Sequence, residues 1–65
     1  MGRIRITHDP LGLYEEGSVV EIKDLIESYC EQSNDESICG WLNRIPVASA
    51  VAFVCEAWEL DYEWY

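Results

Sequence analysis

Trp58-Glu59-Leu60-Asp61-Tyr62-Glu63-Trp64 is the stretch on which the fold of this chain turns. Apolar Trp58, Leu60, Tyr62 and Trp64 alternate with acidic Glu59, Asp61 and Glu63, and a period of two with aromatic content predicts a strand. Positions 47, 51, 54, 58, 62 and 65 also fit one long helix. Pairing decides between the two. Arg3-Ile4-Arg5-Ile6-Thr7 alternates in the same way, so a C-terminal strand from about Glu59 to Tyr65 can set its acids opposite Arg3 and Arg5 across a two-stranded sheet.

Between these strands the periodicity is helical. Asp9-Pro10-Leu11-Gly12 is turn chemistry, Leu13-Tyr14 is expected to fold back onto the core, and Glu15-Glu16-Gly17 reads as a second, exposed turn. Ser18 with Glu21 three residues on matches a capping box. From there the apolar positions 19, 22, 25, 26, 29 and 30 form one face. Glu21, Asp24, Glu27 and Glu31 fall within a sector of about 120° at 100° per residue. Asp35 or Asn34 can cap a short second helix holding Ile38, Cys39, Trp41 and Leu42, weakened by Gly40. Pro46 suits the first turn of a third, with Val47, Ala50, Val51, Val54 and Trp58 inward. The expectation is an α+β single domain of order β-α-α-α-β, its two terminal strands paired against three short helices, with Trp41 and Trp58 in the core.

Thirteen acids against four basic residues give a formal charge of −9 on 65 residues. A chain this short buries only about 60% of the surface its unfolded form exposes, and self-repulsion on that scale weakens a small fold. The excess therefore points to a partner with a positive surface. It also argues against direct nucleic-acid binding, which needs clustered Lys and Arg. Half the chain is apolar and it carries three Trp, unlike a disordered acidic tail. No apolar run approaches the roughly 18 residues of a membrane span, and Met1-Gly2-Arg3-Ile4-Arg5 lacks the apolar segment of a signal peptide.

Cys30, Cys39 and Cys55 are odd in number with no close pair. That pattern reads as free thiols in a reducing compartment. With His8 they lack the spacing of a zinc knuckle. There is no nucleophile elbow, phosphate loop or metalloprotease motif, so neither catalysis nor a cofactor is expected.

Two acidic surfaces are the candidate partner sites. One is the helical stripe Glu21, Asp24, Glu27 and Glu31. The other is Glu56, Glu59, Asp61 and Glu63 with the aromatic anchors Tyr62 and Trp64. In size, charge and acid-studded helices, with Asp35 and Glu36 adding to these acids, the chain resembles the small acidic anti-defence proteins of phages, in particular those of the anti-CRISPR type. The resemblance is one of type, without a diagnostic motif. It implies a non-enzymatic inhibitor acting in the cytoplasm of an infected bacterium, which binds a CRISPR effector and blocks its DNA site. The alternative is an acidic interaction module, such as an antitoxin-like neutraliser or adaptor, whose aromatics dominate binding. A monomer is expected, because acids along the terminal strand oppose self-pairing.

Overall fold

The computed structural model describes residues 2–65 and has the α+β architecture. Strand β1 (Arg3–His8) is central, flanked by β2 (Val19–Glu21) and β3 (Asp61–Trp64) in an antiparallel sheet of order β2-β1-β3. Helices α1 (Ile22–Ser33), α2 (Glu36–Leu42) and α3 (Val47–Ala57) cover one face of the sheet. That face contributes fully buried Ile4 and Ile6 to a core with Leu25, Leu42, Val51 and Val54, while Arg3, Arg5 and Thr7 face solvent. The period-two pattern is thus a strand with one dry face.

Strand β2 is a correction to the helix expected from Ser18. Gly17 N–H donates to the Ile6 carbonyl (2.6 Å), and Ile6 N–H donates to the Ser18 carbonyl (2.9 Å). Two residues therefore face one, a bulge whose first position is Gly17 at φ +87°. The Ser18 hydroxyl is turned back to the Glu15 carbonyl (2.6 Å) and caps no helix. Helix α1 starts at Ile22, whose N–H donates to the Gly2 carbonyl (2.8 Å), and Glu21 precedes it without a side-chain cap bond. The sheet accordingly has three strands where two were expected.

The ambiguous stretch resolves at Glu59. Its φ of 58° is left-handed. Glu59 N–H donates to the Glu56 carbonyl (3.2 Å) and Leu60 N–H to the Cys55 carbonyl (2.7 Å). These are the two bonds of a Schellman motif, with Leu60 buried behind it. The helix stops and β3 begins two residues later. Trp58 sits in the core at 8% exposure, against Tyr29 and Tyr14. Trp41 does not: it is 43% exposed and meets only the edge of the cluster through Phe53, at 5.1 Å between ring centroids.

Asn34, left-handed at φ 51°, closes α1, and the Asp35 carboxylate caps α2 through the Ser37 and Ile38 N–H groups. The reversal brings Cys30 and Cys39 to a Cα separation of 5.3 Å, and they form a disulfide. The expectation of three free thiols is overturned for these two; Cys55 alone is free, and buried. Asp9 organises the first turn, its carboxylate accepting from the N–H groups of Leu11, Gly12 and Tyr14. Tyr14 packs against the core as expected, whereas Leu13 is exposed.

Candidate functional site

The structure divides the expected acidic stripe. Glu21 belongs to β2, opposite Arg3, with its carboxylate 3.9 Å from the guanidinium. Asp24, Glu27 and Glu31 remain on α1, within about 60° of one another by helical rotation. All three are exposed, and among the described residues none forms an ion pair. They make a narrow ridge. On one flank Tyr14 lies against the helix. Burial raises the pKa of its hydroxyl, a hydrogen bond with Ser28 opposes that rise, and in the alkaline range where the hydroxyl titrates the charges of Cys55, Asp9 and Asp24 add to it.

On the other flank lies an open groove of about 970 Å³, with Glu27 and Lys23 at its rim. Ile22, Leu42 and Ala50 line it, together with half-buried Ile26 and the Cys30–Cys39 disulfide. Nothing in the linear sequence signals this groove, because it depends on α2 folding back beneath α1.

The C-terminal acids behave differently. Arg5 Nη1 lies 3.1 Å from Glu63 Oε1, as the expected strand pairing requires, and its guanidinium also sits over the Tyr65 ring, 5.3 Å from the centroid. Asp61 stands opposite His8, which in turn bonds Glu16 at 2.9 Å. Glu59 occupies the left-handed cap position, and Glu56 is exposed in the last turn of α3. Tyr62 and Trp64 share the inner face of the sheet with Ile6 and Ile4 and meet edge to face at 5.8 Å. Tyr62 is half-buried, whereas Trp64 is 45% exposed.

The two sets of acids do not merge. Helix α1 leaves the β2 edge of the sheet, and β3 forms the opposite edge, two strand spacings or about 10 Å away. Cys55, the one free thiol, is 1% exposed, and burial pushes its pKa up to about 11. It is a protonated packing group at neutral pH. Among the described residues no group of three or more His, Cys, Asp or Glu side chains could hold a metal ion, and no helix is long and apolar enough to cross a membrane. Comparison with known proteins finds no matching family, no similar curated protein and no similar solved structure.

Proposed function

We propose that this chain is a non-enzymatic inhibitor that seats the α1 ridge in the basic nucleic-acid-binding surface of a CRISPR effector, or of a similar nucleic-acid-handling defence complex, and so blocks DNA. The observation that carries this reading is that, among the described residues, Asp24, Glu27 and Glu31 have no cation partner in a chain of charge −9. Carboxylates with no internal use on a helix anchored by Ile22 and Leu25 are free to meet an external cation surface. Along the axis they step by about 4.5 and 6 Å, a row of like charges somewhat sparser than the 3.4 Å or so per charge along one DNA strand. Long-range attraction then speeds association, and added salt weakens it.

The action proposed takes place in a reducing bacterial cytoplasm, where Cys30 and Cys39 would be held as thiols. The reading therefore requires the fold to persist without their bond. In its support, the most buried residues of the core, from Ile4 to Val54, include neither cysteine. A second reading, an acidic interaction module, is favoured by the exposed Trp64 and Tyr65. Its complexes would be held by aromatic burial and change little with salt.

The test is a mobility-shift assay of purified DNA-binding CRISPR effectors on target DNA, with and without this protein, at two salt concentrations. Loss of the DNA-bound band, relieved by higher salt, supports the ridge as occupant. DNA binding undisturbed at low salt across those effectors sinks the proposal for them. Inhibition indifferent to salt favours the second reading.

A further inference from the structure

We infer that the open edge of β3 is a separate binding site, which takes an extended peptide of alternating basic and apolar residues as a fourth strand of the sheet. This goes beyond the α1 ridge and does not depend on it.

The backbone defines the site. Tyr65 N–H donates to the Arg3 carbonyl at 3.3 Å, and Glu63 stands opposite Arg5. The odd-numbered residues of β3 therefore turn their N–H and C=O groups towards β1. By the alternation of an antiparallel ladder, Tyr62 and Trp64 point theirs the other way. Among the described residues, no backbone hydrogen bond from a turn or loop reaches those groups. They form a short template for strand addition.

The side chains define what the template accepts. Asp61 and Glu63 lie on the solvent face of the strand, and Tyr62 and Trp64 on the face shared with Ile6 and Ile4. The chain already contains one matching partner: β1 places Arg5 beside Glu63 and sets Ile4 and Ile6 against Trp64 and Tyr62. Strand β1 is paired on both sides, so a second copy cannot offer it. A second copy could offer only an edge. Pairing β3 with β3 would set Asp61 and Glu63 against the same acids, and like charges across a ladder are destabilising. The other edge, β2, offers Val19, Val20 and the acid Glu21 but no cation. The occupant is thus a segment of another protein with the pattern of β1. Asp61, which has no ion-pair partner among the described residues, and Glu63 face its cations.

The peptide adds antiparallel, as the strands of this sheet already pair, and that geometry also fixes which peptide amides are used. Tyr62 and Trp64 are the bonding residues on this edge, and the residues opposite them are the apolar ones. Hence the apolar residues donate to β3, while the amides of the basic residues face away. The probe is an acetylated, amidated peptide Thr-Arg-Ile-Arg-Ile-Arg-Ile-Thr, titrated into isotopically labelled protein at physiological ionic strength. Binding should slow hydrogen exchange of the Tyr62 and Trp64 amides. Methylating the Ile amide nitrogens should weaken binding at least about tenfold, from lost hydrogen bonds and steric block. Methylating the Arg amide nitrogens should change it by less than about threefold, since those amides remain solvated. Equal affinity of the two methylated peptides would overturn the inference, as would unprotected Tyr62 and Trp64 amides or no binding of the parent peptide at millimolar concentration. The combined variant Asp24→Asn, Glu27→Gln, Glu31→Gln should keep the contrast between methylated peptides, so failure here and failure of the ridge are read separately.

Discussion

The ridge on α1 and the acids of β3 carry the same kind of charge in opposite circumstances. Asp24, Glu27 and Glu31 stand on a helix whose packing face is apolar, and among the described residues none of their carboxylates has an ion-pair partner, although Asp24 lies in the first turn where a negative charge suits the helix end. Glu63 is tied to Arg5, Glu59 holds a left-handed cap, and Asp61 faces His8 across the ladder. One set is unpaired along its length, whereas in the other the Glu63 carboxylate is bonded within the fold and Asp61 is not. An acid stripe seen in sequence is therefore not one functional unit. The acids most available to a partner are those whose removal costs the fold least.

The sharpest way to break that contrast is to neutralise the ridge. Asp24→Asn, Glu27→Gln and Glu31→Gln together should weaken inhibition of the effector at least about a hundredfold, given the coupling energies of close interfacial charge pairs. The melting temperature should hold or rise, because self-repulsion falls. A folded triple variant that inhibits as well as the parent would remove α1 from the interface. The disulfide separates the regions by stability. Closing a loop of this size is worth about 2–3 kcal/mol, so Cys30→Ser with Cys39→Ser should lower the melting temperature by roughly 10–20 °C for a domain this small. Hydrogen exchange should rise first in α2 and the last turn of α1, with the β1–β3 ladder protected until global unfolding. Uniform loss of protection would mean that the two regions unfold as one.

Smaller effects probe the structural acids. Glu59→Gly relieves a left-handed side-chain position and should stabilise by about 0.5–1 kcal/mol, read by chemical denaturation; a loss of stability would show that the Glu59 side chain supports the cap. Glu63→Gln removes an exposed ion pair and should cost less than about 1 kcal/mol. Inhibition should stay within about threefold, since an exposed charge beside its own cation adds little field. A large drop in inhibition would move the functional surface to β3.

Much of the fold was legible where a pattern ran long enough to show its period. Arg3 to Thr7 alternates as a strand, the strand expected from about Glu59 to Tyr65 forms over Asp61–Trp64, Asp35 is the one of the two candidate residues that caps α2, and α3 ends at the expected tryptophan. The failures are local and have causes. Val19–Glu21 is too short to display alternation, and Ser18 with Glu21 imitates a capping box. The competing signal, Gly17 as the first residue of a bulge, acts only once Ile6 is alongside. Cys30 and Cys39 are nine residues apart, and they meet because Asn34 reverses the chain. Trp41 looked internal by type, but its place on a seven-residue helix at the margin leaves it half outside. For the site, the acids of α1 were legible and their lack of partners was not: Glu21 leaves the stripe because Arg3 stands opposite it in the sheet.

Strand β2 runs into α1 without an intervening residue, and the Cys30–Cys39 bond grips the other end of the helix. Mechanically, α1 is a beam built in at both ends, with its three carboxylates along the span. A torque applied at the ridge passes straight into the sheet, with no hinge to absorb it. With the bond closed the protein should dock as a rigid key; in the reducing cytoplasm proposed above, the far end of α1 is released and docking has to order it.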